Sequence, residues 1–209
     1  MTQVTAAGGP EEAPRGARAR LLAAAVEAFA AKGFHGTTTR DIAAAAGMSP
    51  AALYVHHRSK EELLYLISRT GHDRTLSLIR EAAAGAERPR EQLVAVVRAF
   101  TAHHARSHTS ARVVNYELAA LAPDHLAEIT AIRREINQVV RDLVEAGVCS
   151  GEFRTADPRM TALAVLSLGI DVARWYRDDG GWSPDQLADH YAEAALRLVG
   201  ANAAETPPP

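Results

Sequence analysis

Hydrophobic residues recur along most of the chain at intervals of three and four positions, which is the spacing of one face of an α-helix. In the first such segment, residues 15–32, the predicted buried stripe consists of Leu22, Val26, Phe29 and Ala30. Gly33 then offers a stop for this helix. Strand-like alternation of polar and apolar residues is missing, so the pattern predicts an all-α protein.

Two short helices are predicted next, in the stretch "TTTRDIAAAAGMSPAALYVHH". The first covers residues 39–46 and is closed by Gly47, which adopts a positive φ at low steric cost. The second begins with Ser49 as N-cap and Pro50 as first helical residue, and it ends near His57. A short helix, a tight turn with glycine and a second short helix together form the helix-turn-helix pattern.

A longer fourth helix is predicted after Ser59, and the spacing of Ser59 and Glu62 predicts a capping box. A break in the pattern at residues 82–91 precedes five further helices, predicted at about 90–108, 111–121, 123–148, 157–177 and 184–198. The predicted organisation is a disordered tail (1–14), a three-helix DNA-binding domain (15–60), a connecting helix (61–81), a helical bundle for ligand binding and dimerisation (82–202) and a second disordered tail (203–209).

The helix-turn-helix predicts which side chains meet DNA. Its second helix has to enter a major groove about 12 Å wide and present its N-terminal residues to base edges. Small residues there permit close approach, and hydroxyl, imidazole and ammonium groups around them suit phosphates. The candidate DNA contacts are Thr37, Thr38, Thr39, Ser49, Pro50, Ala51, Ala52, Tyr54, His56, His57 and Lys60. The alternative is that these helices are only packed members of a bundle.

Composition adds few constraints. The chain has 209 residues, 47% of them hydrophobic, and a formal net charge of −2 at pH 7. Its single cysteine excludes an intramolecular disulfide and suits a reducing cytoplasm. No uninterrupted apolar run reaches about 18 residues, so no membrane span is expected. Neither catalytic residues nor a cofactor are predicted, and His103, His104 and His108 are interpreted as polar residues at a helix end rather than as metal ligands.

The string "GFHGTTTRDIAAAAGMSPAALYVHHRSKEELL" closely resembles the DNA-binding domain of the TetR family. The resemblance covers roughly residues 15–64 and implies a regulator that binds a palindromic operator as a homodimer. His57 departs from the pattern, because the family usually has Phe at this position. Two interpretations of His57 stay open at this point: a phosphate-facing residue or a half-buried core histidine.

The segment at 159–199 resembles the TetR branch that controls catabolism of steroid-like and fatty acyl-CoA substrates. This resemblance implies a hydrophobic effector, of which an acyl-CoA is one candidate, and it places Arg174 and Trp175 in the ligand site. Arg134 and Arg141 share a face of the preceding long helix and are added as cationic candidates. The alternative places Trp175 in the core at the dimer interface and leaves the arginines solvated.

Two functions from different classes therefore remain. The favoured one is a ligand-responsive repressor in the cytoplasm, released from its operator by a small molecule. The other is a helical-bundle carrier or enzyme with no DNA role. For the repressor, the last two helices are the expected dimer interface, through a stripe of Leu187, Tyr191, Ala194 and Leu198 with Ala188, Ala192 and Ala195 beside it.

Overall fold

A computed structural model of the chain describes residues 12–201. These residues form helices and no strand, as the periodicity predicts. The helices are α1 (Glu12–Gly36), α2 (Thr39–Ala45), α3 (Pro50–His56), α4 (Lys60–Ala84), α5 (Pro89–Arg106), α6 (His108–Tyr116), α7 (Pro123–Cys149), α8 (Pro158–Trp175) and α9 (Pro184–Leu198). The predicted tails lie outside the described residues, except that residues 12–14 belong to the first turn of α1.

The N-terminal helices enclose a core of their own. Phe29 of α1, Ile42 of α2, Leu53 of α3 and Leu63 of α4 have almost no exposed surface. They belong to one contiguous apolar cluster, so the three short elements are held on the start of α4. Ile42 and Leu53 join the two arms of the helix-turn-helix.

The buried face of α1 differs from the predicted stripe by one position. Leu21, Ala25 and Phe29 are buried, whereas Leu22 and Val26 are only half-buried. Leu22 and Val26 instead line a small cavity of about 250 Å³ between α1 and helices α4 to α6. α1 therefore has apolar residues on two sides, one toward the short helices and one toward the second unit.

A second core lies among the later helices. It joins the end of α4 to α5, α7, α8 and α9 through residues such as Leu93, Phe100, Val140 and Leu166. Helix α9 lies along α5, and its alanines Ala188, Ala192 and Ala195 are buried in that contact.

The α9 contact corrects part of the expected dimer interface. Leu187 is buried against Ala105, Val172 and Tyr176 of the same chain. The three alanines of α9 are likewise covered by α5, because small residues allow that helix to approach closely. They are therefore core residues of one chain rather than interface residues.

Three helices connect the two cores. The first half of α4 packs in the N-terminal core and its second half in the C-terminal one, and the N-terminal part of α7 contacts the first core through Ile129. Helix α6 packs against both α1 and α4. At Gly71 of α4 an added Cβ would lie 2.7 Å from a methyl of Val114 in α6, so these two helices are in close contact.

Candidate nucleic-acid interface and ligand cavity

The turn between α2 and α3 has the predicted geometry. Gly47 has a φ of 67°, a region that other residues adopt only with strain. Its N–H donates to the carbonyl of Ala44, and the N–H of Met48 donates to the carbonyl of Ala43. The turn closes α2 through these bonds and directs the chain into α3.

The threonines at the start of α2 have different roles. Thr38 caps the helix: its hydroxyl accepts from the N–H of Asp41, and its own N–H donates to the Asp41 carboxylate at 2.9 Å. The hydroxyl of Thr38 also donates to this carboxylate, and these bonds keep the pKa of Asp41 below its usual value. The carboxylate thereby takes both donors of Thr38, which leaves this predicted DNA contact without a donor for a phosphate.

Thr37 is not available to DNA through its side chain, contrary to prediction. It is fully buried, and its hydroxyl donates to the carbonyl oxygens of Ala28 and Gly33 in α1. The reason is the kink at Gly33, which has a φ of 71° and leaves α1 carbonyls in need of donors.

Helix α3 presents exposed side chains at both of its ends. Ser49 caps it by accepting from the N–H of Ala52 at 3.1 Å, with Pro50 at the first helical position. Pro50 and Ala51 are exposed and Ala52 is half-buried. Small residues thus line the N-terminal end of α3, where a groove-binding helix approaches base edges.

Two larger side chains project further along α3. Tyr54 is 56% exposed and Val55 is 78% exposed. The hydroxyl of Tyr54 lies 3.2 Å from that of Thr39, which ties α3 to the start of α2. The sequence analysis did not identify Val55. The helical period could have done so, because Val55 lies two residues from the buried Leu53 and therefore on the opposite face of α3.

His57 is a core residue, so its interpretation as a phosphate contact is wrong. Its side chain is 3% exposed, and both ring nitrogens are without a hydrogen-bond partner among the described residues. Burial lowers the pKa of this imidazole, which keeps it neutral. The neighbouring His56 is half-buried at the end of α3.

Lys60 has a structural role beside its predicted one. Its ammonium donates to the carbonyls of Phe34 and Thr37, each at 2.8 Å, and lies 4.3 Å from the centre of the Phe34 ring. An ammonium has three donors, so one remains for a phosphate oxygen.

Two exposed arginines, Arg40 of α2 and Arg58 after α3, flank this region and were also missed.

The second unit contains a cavity of about 550 Å³ bounded by α4, α5, α6, α7 and α8. This volume is in the range of small-molecule sites. Phe100, Ile136, Leu166 and Ile170 supply apolar wall. Exposed residues mark the mouth, namely Arg134, Gln138, Leu163 and Ser167, whereas His72 and His104 are buried at the inner end.

The inner end holds a guanidinium. Nη1 of Arg133 donates to Oδ1 of Asn115 and to Nε2 of His72, both at 3.1 Å. Because a guanidinium only donates, His72 accepts at Nε2 and carries its proton on Nδ1, which donates to the Ser68 carbonyl at 2.7 Å. His72 is therefore neutral in this arrangement.

Burial sets the charge of both inner histidines. It lowers the pKa of His72 and of His104 to about 4, and the positive charge of Arg133 contributes to both shifts. Nδ1 of His104 lies 2.9 Å from the carbonyl of Phe100, its i−4 neighbour. Arg133 is thus the charged group of the inner end at neutral pH.

Of the predicted ligand residues, only Arg134 lines this cavity. Arg141 pairs with Glu145 at 2.6 Å one turn along α7. Arg174 forms a two-point pair with Asp171 on the surface of α8, and Trp175 is 37% exposed beside it. These three side chains are consequently left out of the effector site proposed below.

The sequence contained a signal for Arg133. It occupies the buried stripe of α7 with Ile129, Ile136 and Val140, whereas Arg134 is rotated by about 100° toward solvent. An arginine at an apolar position of a helix is a better candidate than two arginines that share an exposed face.

A larger open groove of about 1320 Å³ lies between α5, α9 and the turn at residues 150–152. Its arginines include Arg98 and Arg106, which pair with Asp189 and Asp185 of α9. These ion pairs give both arginines a counter-ion and join α5 to α9.

An exposed apolar stripe runs along α8. Met160, Leu168 and Trp175 are 64%, 43% and 37% exposed, with the exposed Ala164 between the first two. Their spacing of four and seven residues places them on one face. A face of this kind on a helix at the surface is typical of a contact with another protein.

Within residues 12–201, no helix combines the length and apolar character needed to cross a lipid bilayer. The same range holds no group of three or more His, Cys, Asp and Glu side chains arranged for a metal ion.

A helix-turn-helix with an exposed second helix, joined by α4 to a bundle with a cavity, defines a DNA-binding transcriptional regulator with a ligand domain. Two family models match the chain: "Bacterial regulatory proteins, tetR family" over residues 21–67 and "Tetracyclin repressor-like, C-terminal domain" over residues 86–199. The chain therefore belongs to the tetR family. Regulators of this family bind operator DNA as dimers and bind small-molecule effectors, and they are not enzymes.

Individual relatives and solved structures are similar to this chain over most of its length. The repressor KstR2 of Rhodococcus jostii is 31% identical over 183 residues, which are 87% of this chain and 90% of KstR2. A tetR-family regulatory protein from Rhodococcus RHA1 has a structure that matches with a TM-score of 0.85 at 45% identity, over 90% of this chain and 98% of that one. The structure of KstR2 of Mycobacterium tuberculosis, described as a ketosteroid transcriptional regulator, matches with a TM-score of 0.82 at 26% identity, over 88% and 95% of the two chains.

Proposed function

We propose that this regulator is a repressor that binds a palindromic operator as a homodimer in the cytoplasm and is released by a hydrophobic effector bound in the cavity of about 550 Å³. The observation that carries the proposal is the position of α4. This helix begins at Lys60, directly after the DNA-binding arms, and its later residues His72 and Thr75 form part of the cavity wall.

In this proposal residues 15–60 read DNA and residues 82–202 hold the effector and the dimer contact. The connecting segment, predicted at 61–81, is almost the whole of α4. Base edges meet the N-terminal end of α3, at Pro50, Ala51 and Ala52, and Val55 adds an apolar contact suited to a thymine methyl.

Polar groups around α3 fix the position of the protein on the phosphates. These groups are the hydroxyls of Thr39, Ser49 and Tyr54, the imidazole of His56 and the third donor of Lys60. Arg40 and Arg58 supply exposed positive charge on either side. Each of the two arginines is expected to contribute to affinity for any sequence and to the salt dependence of binding.

The stripe on α8 is the proposed dimer contact. A palindromic operator needs two recognition helices about 34 Å apart, and one chain provides one. Met160, Leu168 and Trp175 offer the apolar surface that a two-fold contact buries, with the Asp171–Arg174 pair at its edge.

An effector in the cavity contacts five helices, among them α4 and α6. Because α6 packs on α1 as well as on α4, a ligand that shifts either helix changes the separation of the two DNA-binding units in the dimer. Such a ligand favours one spacing, and its differential affinity for the two spacings sets the strength of release.

The proposed effector is a steroid-like or long-chain acyl compound. The apolar walls of the cavity support this class, and so does similarity to repressors of the KstR2 type, one of which is described as a ketosteroid regulator. Acyl-CoA thioesters and the matching free acids are the compounds to compare.

The test is titration of the operator complex with both compound sets, followed by fluorescence anisotropy of the DNA. Thr130 is half-buried on the cavity wall and Ala131 is exposed beside it. Thr130→Trp should bind operator normally but should need at least about tenfold more effector for release. Ala131→Trp should respond to the effector as the unaltered protein does. Equal release from both variants would place the effector site elsewhere.

A further inference from the structure

Arg133 at the inner end of the cavity has no acidic partner. Among residues 12–201 no carboxylate lies within ion-pair distance of its guanidinium, and its hydrogen bonds go to the neutral groups of Asn115 and His72. Arg141 of the same helix differs, because it is paired with Glu145. A half-buried positive charge without a counter-ion is costly in a folded protein unless a ligand supplies the counter-ion.

Among the residues that the structure describes, no carboxylate lines the cavity. The remaining groups at the inner end are His72 and His104, both almost completely buried, together with the amide of Asn115 and the ring of Phe100. Asn115 is itself fixed, because its amide nitrogen donates to the Ala111 carbonyl at 2.9 Å. Three helices thus hold the guanidinium at the end of a slot that has apolar wall at Phe100, Ile136, Leu166 and Ile170.

We propose that Arg133 binds a carboxylate, so that the effector is a hydrophobic molecule whose inner end carries a carboxyl group. This inference deepens the function proposed above and depends on the same cavity. A guanidinium presents paired N–H donors that match the two oxygens of a carboxylate. A guanidinium has five N–H donors, and Arg133 uses two of them for Asn115 and His72. The remaining donors would contact the carboxylate.

The orientation of the ligand follows from the position of the charge. The carboxylate lies at the buried end, and the apolar body extends past Ile136, Leu166 and Ile170 toward the mouth. A plain acyl-CoA thioester would place its uncharged methyl end against Arg133 and would leave the guanidinium without a counter-ion. Free acids, or thioesters that keep a second carboxyl group, satisfy the site.

The probes are dodecanoate and lithocholate, one a straight chain and one a fused-ring body, each beside its methyl ester. Binding is measured by titration calorimetry on the full chain. Both carboxylates are expected to compete for one site per chain, and at least one should bind about ten- to a hundredfold more tightly than its ester, the ratio expected for a charge-assisted hydrogen bond. Esters that bind as tightly as both acids, or a complete lack of binding by both acids, would overturn the proposal.

Variants assign the effect to Arg133. Arg133→Met should remove the preference for the acid, Arg133→Lys should retain part of it, and Arg80→Met should leave it unchanged, since Arg80 lies on the surface of α4 in a pair with Glu135. Without ligand, Arg133→Met should melt close to the temperature of the unaltered protein, because removal of an uncompensated charge offsets the loss of the hydrogen bonds to Asn115 and His72. A marked fall in that temperature would show a structural role and would contradict the proposal.

The same titrations with operator DNA separate this inference from the function on which it rests. Acids that bind through Arg133 without weakening operator binding would uphold the site and contradict release through this cavity. Uncharged compounds that release the operator equally from the unaltered protein and from Arg133→Met would uphold release and overturn the carboxylate site.

Discussion

Buried imidazoles are the residues at which this chain departs most from an apolar helical core. His57 lies behind the recognition helix, and His72 and His104 lie at the inner end of the cavity; each is 3% exposed. His72 and His104 have backbone carbonyls as partners, but His57 has no hydrogen bond among the described residues. Their consequences for stability therefore differ.

His57→Phe should stabilise the protein. The substitution replaces two unsatisfied ring nitrogens by carbon in a site of nearly the same shape, and an unpaired buried polar group costs about 1–3 kcal/mol. We expect a gain of about 1 kcal/mol or more in the free energy of unfolding, measured in urea, with operator affinity unchanged. His56→Phe is the control and should not give this gain in the free energy of unfolding, since His56 is only half-buried. A loss of stability in His57→Phe would show that the ring nitrogens of His57 have a partner.

Stability should fall in mild acid because of His72 and His104. Unfolded histidines take up protons near pH 6.5, whereas burial lowers the pKa of both in the folded state to about 4. The unfolded state thus binds more protons between these values, so stability is constant above pH 6.5 and decreases as the pH falls toward 4. Arg133 faces both rings and favours their neutral forms, and Asp73 opposes this effect at His72.

Each of the two histidines should cost about 2 kcal/mol between pH 6.5 and pH 5. Urea unfolding at several pH values measures the slope. The double variant His72→Gln, His104→Gln should lose most of it, although it will be less stable at pH 7.5. A slope that is unchanged in the double variant would assign acid sensitivity to other groups.

At the scale of elements, helix ends follow local chemistry and could be predicted from it. Gly47, Ser49 with Pro50, Ser59 and Ser183 with Pro184 each terminate or begin a helix where predicted. These signals act over a few residues, through a cap or a backbone conformation, and do not depend on tertiary contacts.

The rotation of a helix in the fold was harder to predict. α1 has two apolar faces, and only packing against α2 to α4 determines that Leu21 and Ala25, rather than Leu22 and Val26, join the core. The same applies to α7, where Arg133 and Arg134 are adjacent in sequence but only one points to the inner end of the cavity. Contacts between distant segments decide such cases, and periodicity alone does not contain them.

The turn at Gly47 should be needed for DNA binding beyond its effect on stability. Gly47→Ala meets no atom within 4 Å, so its cost comes from the positive φ alone and should be about 1–2 kcal/mol. Gly151→Ala has the same features, a φ of 79° and no atom within 4 Å of an added Cβ, but lies in the second unit. Both variants should lose similar stability by urea unfolding, and only Gly47→Ala should also bind operator more weakly.

A relaxed turn lets α3 change its angle to α2, which explains the expected difference between the variants. Operator affinity is measured below the unfolding transition of both. Equal affinities in Gly47→Ala and Gly151→Ala would show that the angle at this turn does not control recognition.

For the whole molecule, we expect the exposed apolar stripe on α8 to form a dimer contact that one substitution disrupts. Leu168→Glu places a charge in the proposed contact twice, once from each chain. A buried unpaired charge costs several kcal/mol, so the dimer should weaken by at least about a hundredfold. Analytical ultracentrifugation should show a monomer at micromolar concentration, while the control Ala127→Glu, on the exposed surface of α7, stays dimeric.

The monomer should retain its fold, because Leu168 is exposed within the chain. Circular dichroism would verify this. A Leu168→Glu protein that remains dimeric would place the contact on another surface, with the exposed Leu198 of α9 the next residue to test.

Operator binding by the whole dimer distinguishes a sequence-specific regulator from a helical protein with no DNA role. The measurement is an anisotropy titration of the duplex that flanks the protein's own gene, beside a shuffled duplex of equal length and composition, at low and physiological salt. We expect selective binding of the native duplex, saturation at two chains per site and a steep loss of affinity with salt, as phosphate contacts require. Equal affinity for both duplexes, or binding of neither, would contradict a sequence-specific regulator of that site.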